Sequence, residues 1–190
     1  IFANSIGRRT IPETMTSPHP TRRPWREADF PAYVLLHSDP HVVEWLGGTQ
    51  MDAEQIRAAF DRMRMELDER GWGVWAIIDE QGFIVGAAGL QPIREGLPPY
   101  PGVEAVWRLA FHAQGKGRVT TAMKAVLPWA FANIADLDEI LTFTGRTNLK
   151  SQAVMQRLGF TRDPSRDFDH PSLPADHPLR PHVMYIMKRT

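Results

Sequence analysis

The sequence predicts a mixed α/β domain, and the order of its elements carries the prediction. Helical patterns come first, two strands joined by a tight turn follow, and the chain then alternates strand, helix and strand. This order is typical of a sheet covered by helices. The chain has 190 residues, enough for one domain that buries roughly 70% of its unfolded surface. We interpret residues 1–15 as a leader or N-terminal arm and residues 16–190 as the single domain.

The first elements are short. Residues 21–25 have the pattern of a strand, and residues 26–36 have that of a helix. Asp39 and Pro40 open a further short helix, because aspartate caps helix N-termini and proline suits the first helical turn. We therefore expect helices to precede the central strands of the sheet.

The clearest helix covers residues 52–70. Asp52 and Gln55 have the spacing of a capping box, and Gly71 supplies the stop. The apolar residues recur at helical spacing and form one stripe, which we interpret as core packing. The stripe consists of Ile56, Ala59, Phe60, Met63 and Leu67.

Strands occupy the middle of the chain. Residues 74–78 and 83–90 predict a hairpin around the turn at residues 79–82. Residues 97–102 are too rich in proline for anything but a loop. Residues 103–111 alternate apolar and other side chains and predict a third strand.

A strand–helix unit follows. Residues 118–134 predict a helix, residues 139–144 a strand and residues 149–158 another helix. Pro128 lies inside the first of these helices, where proline removes one backbone hydrogen bond. The helix is therefore expected either to kink at Pro128 or to have different bounds.

Composition excludes several classes of protein. The 22 basic and 22 acidic residues cancel, so no bulk field attracts nucleic acid or an anionic membrane. The absence of cysteine excludes disulfides, thiolate metal sites and covalent transfer through an enzyme thiol. The sequence contains no apolar run long enough to span a bilayer and no signal-like start. We therefore expect a soluble, cytoplasmic protein.

A glycine turn precedes the helix at residues 118–134. Gly115 and Gly117, separated only by Lys116, come directly before this helix. A nucleotide-binding P-loop would need Ser or Thr after Lys116, and a dinucleotide fingerprint would need a third glycine. Backbone N–H groups of a glycine turn at a helix start can hold a pyrophosphate, although a plain tight turn is the alternative.

A second motif follows about thirty residues later, with Asn148, Ser151 and the triplet Leu158-Gly159-Phe160. Together the two motifs resemble the acyl-CoA-binding core of the GNAT superfamily of N-acyltransferases. The resemblance covers roughly residues 20–190 and is greatest to the branch with the ribosomal-protein alanine N-acetyltransferases. His112 stands where that family usually has Gln or Arg, which leaves the backbone part of the motif intact.

This resemblance implies a mixed, mostly antiparallel sheet with helices on both faces and a splayed strand pair that forms an acyl-CoA cleft. It implies acetyl-CoA as cosubstrate, no metal, and the homodimer that is common among relatives. The residues implied to bind the cosubstrate are Leu109, Phe111, His112, Gln114, Gly115, Lys116, Gly117, Arg118, Val119, Thr120, Asn148 and Ser151.

Transfer to an amine requires a base, because amines are largely protonated near neutral pH. Glu104, on the strand that leads into the glycine turn, is the candidate base. The alternatives are that its carboxylate faces solvent or forms a structural pair with Arg108. Many relatives carry a proton-donating Tyr at the position of Met155. Ser151 is therefore the candidate donor to the leaving thiolate, unless it caps its helix. Asn148 either orients the pantetheine amides or caps the same helix.

The end of the chain is expected to be an irregular loop over residues 163–182 and a last strand over residues 182–188. Three histidines of this segment are interleaved with aspartates, without the spacing of a metal site. They either line the acceptor pocket or lie on the surface. These residues are His170, His177 and His182, with Asp167, Asp169 and Asp176. Trp45 is a further candidate for a wall of the acceptor site.

The sequence thus predicts an acetyl-CoA-dependent N-acetyltransferase whose amine attacks directly in a ternary complex. Two alternatives stay open: an acyl-CoA-binding sensor without catalysis, and an interaction domain with a vestigial cleft. The acceptor is equally open among a protein N-terminus, a polyamine, an aminoglycoside and an amino acid.

Overall fold

The computed structural model describes residues 22–47 and 51–190. The expected leader at residues 1–15 therefore lies outside the described residues. Within them, the chain forms a mixed sheet in the order β1-β2-β3-β4-β5-β8-β6, with β7 paired to β8. The strands are β1 (Arg22–Arg23), β2 (Val74–Ile78), β3 (Ile84–Pro92), β4 (Val103–Leu109), β5 (Glu139–Gly145), β6 (Thr161–Arg162), β7 (Phe168–Asp169) and β8 (Pro181–Lys188).

The sheet is antiparallel except where β4 and β5 run side by side in parallel. The helices are α1 (Phe30–Ser38), α2 (Pro40–Val43), α3 (Ala53–Arg70), α4 (Arg118–Asn133) and α5 (Leu149–Leu158). The fold class predicted from the sequence is confirmed. No helix in the described part of the chain is long and apolar enough to cross a membrane.

Helix α3 shows how local sequence sets these bounds. The Asp52 carboxylate accepts from the backbone N–H of Gln55 at 2.8 Å, and the Gln55 side chain accepts from the Asp52 N–H at 3.0 Å. At the other end Gly71 adopts a φ of 71°, a left-handed conformation that glycine adopts without steric cost. Both predicted caps are confirmed.

The helices cover opposite faces of the sheet. Helices α4 and α5 pack on one face, where Met123, Val126 and Ile140 are fully buried. Helices α1 and α3 contribute Tyr33 and Phe60 to the core on the other face. Because successive strand residues point to opposite faces, each sheet position can be assigned to one of these two sides.

Two predicted elements have different bounds in the structure. The strand predicted for residues 103–111 ends at Leu109, because a 3-10 turn follows at Phe111–Ala113. The helix predicted for residues 26–36 is a 3-10 turn at Glu27–Asp29 followed by α1. Helix α4 continues through Pro128 to Asn133, so the proline does not end the helix.

The segment predicted as an irregular loop over residues 163–182 also contains regular structure. Strand β7 pairs with the start of β8, which begins at Pro181. The Asp167 side chain holds the segment down: it accepts from the backbone N–H of Met184 at 3.0 Å and pairs with Arg162. The local sequence is irregular, but the neighbouring strand imposes the pairing.

Candidate active site

A cleft opens where β4 and β5 separate. Their parallel pairing is limited to the register of Glu104 with Leu141, near the start of both strands. The Thr142 hydroxyl donates to the Ala105 carbonyl at 2.9 Å and closes the bottom of the gap. Since strand backbone groups alternate in direction, those of Trp107 face the same gap as the Ala105 carbonyl. The sequence analysis did not include Trp107 among the cleft residues, although its spacing of two positions from Ala105 puts both on the same face of the strand.

The glycine turn lies at the wide end of this cleft. Gly115 and Gly117 have φ values of 76° and 73°, and a Cβ at either would meet nothing within 4 Å. Gly117 caps α4 without a side-chain hydrogen bond, so the N–H groups of the first helical turn remain without an intrahelical partner. The Gln114 side chain donates to the Leu109 carbonyl at 3.2 Å and braces the turn. The turn offers an open backbone site with the positive end of a helix dipole.

The other predicted residues of the turn are arranged around this backbone site. His112 and Lys116 are exposed, whereas the Val119 side chain is buried in the core. Thr120 is partly buried. The Arg118 side chain donates to Glu80 of the β2–β3 turn at 2.6 Å, while its Nη1 is buried without a partner in the described chain.

Helix α5 begins on the opposite side of the cleft. The Asn148 side chain accepts from the Ser151 backbone N–H at 3.1 Å, so Asn148 is the N-cap. The Ser151 hydroxyl makes no hydrogen bond to any residue that the structure describes. Met155 is buried in the core. The capping role left open for Ser151 therefore belongs to Asn148.

A set of side chains spans the mouth of the cleft. Phe111 stacks on the His41 ring of α2 at a centroid distance of 4.2 Å. The Lys150 ammonium, at the start of α5, lies 5.6 Å from the centroid of the Phe111 ring. Phe111 thus links its own 3-10 turn to α2 and α5 at the entrance of the cleft. The sequence places Phe111 between a strand and the glycine turn but does not predict these contacts.

Glu104 lies at the narrow end of the cleft, on the face covered by α1 and α3. It is only 8% exposed and makes no ion pair within the described chain. The Gln91 side chain donates to its Oε2 at 3.0 Å. Burial raises the pKa of Glu104 to about 7, against the opposing effects of Gln91, Arg108 and Arg94. Both alternatives raised by the sequence, a solvent-facing carboxylate and a pair with Arg108, are therefore wrong.

Arg108 lies on the same face of β4 and contacts α1. Its Nη1 is 3.0 Å from Nε2 of His37, whose Nδ1 is 2.9 Å from the Tyr33 carbonyl. Since the carbonyl only accepts, we assign the proton to Nδ1, which leaves Nε2 to accept from Arg108. Burial, followed by the charge of Arg108, lowers the pKa of His37 to about 4, so the ring is neutral at pH 7. The sequence analysis missed Tyr33 and His37.

The C-terminal histidines divide into two groups. His170 and His182 lie 5.0 Å apart between ring centroids, and Phe168 stacks on His182. His182 shares a sheet face with Phe143 and Leu141, and hence with Glu104. Burial lowers the pKa values of both His170 and His182.

The remaining C-terminal candidates take other positions. The His177 ring accepts from the Leu179 N–H, which keeps it within its own turn. Asp169 pairs with Arg180, and Asp167 is held as described above; Asp176 is exposed. Among the described residues, no three His, Asp or Glu side chains are grouped to hold a metal ion. Trp45 is 38% exposed.

Comparison with known proteins places this geometry in a family. The model of the acetyltransferase (GNAT) domain matches residues 21–161, and the chain therefore belongs to the GNAT family of acetyltransferases. An acetyltransferase from Agrobacterium tumefaciens is 26% identical, with a TM-score of 0.68 over 88% of this chain and 90% of that chain.

Two further solved structures share the fold. The ribosomal-protein-S5-alanine acetyltransferase from Vibrio fischeri is 18% identical, with a TM-score of 0.68 over 88% of this chain and 91% of that one. The spermidine N-acetyltransferase from Vibrio cholerae, solved with CoA and spermine, is 15% identical, with a TM-score of 0.67 over 88% and 94%.

The protein is thus an N-acetyltransferase with acetyl-CoA as its cosubstrate. The described residues fit that cosubstrate, because the glycine turn leaves its backbone N–H groups accessible to a pyrophosphate. The gap between β4 and β5 leaves strand backbone available to pantetheine amides.

Proposed function

We propose that this protein transfers the acetyl group of acetyl-CoA to a primary amine by direct attack in a ternary complex. The observation that carries the proposal is a buried carboxyl, Glu104, placed where the two cleft strands separate. The absence of cysteine in the sequence supports direct attack, since no thiol can carry the acetyl group.

Glu104 is proposed as the general base. A carboxyl with a pKa of about 7 is ionised in half of the molecules at neutral pH, and it is basic enough to take a proton from an amine during attack. Gln91 holds the carboxyl in place through Oε2, which leaves Oε1 for the acceptor or for a bridging water. The amine approaches from the face covered by α1 and α3.

Ser151 is proposed as the donor that stabilises the departing thiolate. Its backbone N–H is used by the Asn148 cap, whereas its hydroxyl is uncommitted within the described chain. Bound acetyl-CoA supplies the activated thioester; the chain's own contribution is to hold it and to move protons. Holding both reactants in one cleft accounts for a large part of the expected acceleration.

The proposed cosubstrate site consists of the glycine turn and the neighbouring strand and helix ends. Gly115 and Gly117 leave space for the phosphates, and Lys116 and His112 are exposed beside them. Arg118 supports the turn through Glu80. Because the Val119 side chain is buried in the core, its proposed contribution is its backbone N–H.

Several finer parts of the proposal rest on the sequence. They are a single domain over residues 16–190, a cytoplasmic location and a homodimer. The relatives differ in the acceptors that their names give, spermidine in one and an alanine of a ribosomal protein in another. Those names therefore do not select an acceptor for this chain.

Two-substrate kinetics test the proposal. We expect thiol release that depends on amine, an acetylated amine by mass spectrometry, and intersecting double-reciprocal lines that indicate a ternary complex. Direct attack would be contradicted by parallel lines together with an acetylated protein, seen as a mass increase of about 42 Da after incubation with acetyl-CoA alone.

A further inference from the structure

The Arg108 guanidinium forms no ion pair with any residue that the structure describes. Its hydrogen-bond partner in the described chain is His37, through Nε2 at 3.0 Å. That ring is neutral at pH 7, so the bond satisfies a donor but does not neutralise the charge. Among the described residues, no carboxylate lies within 4.0 Å of Arg108.

Glu104 forms no ion pair with Arg108. It lies four positions away on the same strand face, and the two groups interact only at longer range, where each opposes the effect of burial on the other's pKa. Placing a charged group away from water is costly unless it is paired. His37, itself bonded to the Tyr33 carbonyl, holds the Arg108 side chain in place. Arg108 is therefore a cation without an ion-pair partner among the described residues, on the face from which the proposed acceptor approaches.

A second observation extends this positive charge outward. A cavity of about 370 Å³ opens beside Gln91, the residue that holds Glu104. Its charged lining is three arginines and one carboxylate, Arg62, Arg70, Arg94 and Glu66. The carboxylate of Glu66 is 3.8 Å from Arg70. Arg62 and Arg94 make no ion pair with any residue that the structure describes, so the cavity carries excess positive charge.

We propose that the amine acceptor carries a carboxylate, which Arg108 binds while Arg62 and Arg94 attract it to the cavity. A guanidinium matches a carboxylate with two parallel N–H···O bonds, and buried bonds of this kind are stronger than neutral ones. Polyamines and aminoglycosides would instead meet repulsion on this face. The inference rests on the proposed function, since it assigns the acceptor of the same site.

The test compares acceptors that differ only in the carboxylate. The twenty L-amino acids and their amides are assayed by thiol release at fixed acetyl-CoA, with spermidine as a polycation. We expect the acids to have the higher kcat/KM. In Arg108→Gln the preference for acid over amide falls by about 10- to 100-fold, the range for a lost hydrogen bond to a charged group.

Two further variants separate binding from structure. Arg108→Lys keeps the charge and should restore part of the preference, mainly through a lower KM than in Arg108→Gln. Arg157→Gln removes an exposed arginine of α5 and should leave the preference unchanged. Equal or higher kcat/KM for the amides in the wild type, or an unchanged preference in Arg108→Gln, would overturn the inference.

Direct binding distinguishes failure of this inference from failure of the proposed function. CoA-loaded protein is titrated with the same acids and amides by calorimetry. If amides are acetylated as well as acids, the function stands and the carboxylate assignment falls. If nothing is acetylated but acids bind more tightly and Arg108→Gln removes that difference, the assignment stands without the proposed chemistry. Folding of each variant is checked by its thermal unfolding midpoint.

Discussion

Replacing Glu104 with glutamine should lower activity and raise stability at the same time. Glutamine is nearly isosteric with glutamate and keeps a partner for Gln91, which lies 3.0 Å from the carboxyl. It cannot accept a proton from an amine. We therefore expect kcat to fall by about 10²- to 10⁴-fold, the usual contribution of a general base. The affinity for acetyl-CoA should change little.

The stability effect follows from the pKa. Burial raises the pKa of Glu104 from 4.5 to about 7. Below pH 4.5 the group is protonated in both the folded and the unfolded chain, and it does not affect the free energy of unfolding. Between these values only the unfolded chain releases the proton, so wild-type stability falls as pH rises. Above pH 7 the folded state bears a cost of about 3 kcal/mol, at about 1.4 kcal/mol for each tenfold change in the ionisation constant.

Glutamine does not ionise, so the Glu104→Gln variant should avoid this cost. Urea unfolding at pH 4.5 and pH 8 measures it: the variant and the wild type should unfold alike at the lower pH. At pH 8 the variant should be more stable by up to about 3 kcal/mol. Turnover equal to the wild type would remove Glu104 from the mechanism, and an unchanged stability difference between the two pH values would refute the assigned pKa.

Three other substitutions test the cleft. Gly117→Trp should abolish CoA binding in calorimetry, whereas Gly82→Trp, at a hairpin glycine with φ 86° and equally open space, should retain it; intact binding in Gly117→Trp would contradict the phosphate site. Ser151→Ala should lower kcat about tenfold without changing the unfolding midpoint, because its backbone N–H still meets the cap; an unchanged kcat would exclude the hydroxyl as donor. Asn148→Ala should reduce the free energy of unfolding by about 1 kcal/mol, the usual value of an N-cap, and no loss in urea unfolding would contradict the capping assignment.

The sequence predicts elements whose signals are local. The capping box of α3 and the hairpin around residues 79–82 depend on neighbours within a few positions, and the structure has both. The glycine turn was equally predictable from the sequence, because its two glycines lie directly before the helix that follows. Such signals need no knowledge of the remaining fold.

Contacts between distant segments were not predictable in this way. His37 and Arg108 are 71 positions apart, and no local sequence pattern predicts that the two side chains are in contact. The two-residue strand β7 exists only because β8 lies beside it. Alternation along β4 places Glu104 and Arg108 on one face, but their partners, Gln91 and His37, required the three-dimensional structure.

The measurement that tests the central claim most directly is calorimetric titration with acetyl-CoA, run beside thiol release on a panel of amines. The account predicts one binding site per chain with micromolar affinity and thiol release only when amine is present. Binding without release on any amine would contradict transfer while leaving the cleft as a CoA site. No binding at all would contradict the assignment of the glycine turn as the phosphate-binding site, on which the proposed acetyl transfer depends.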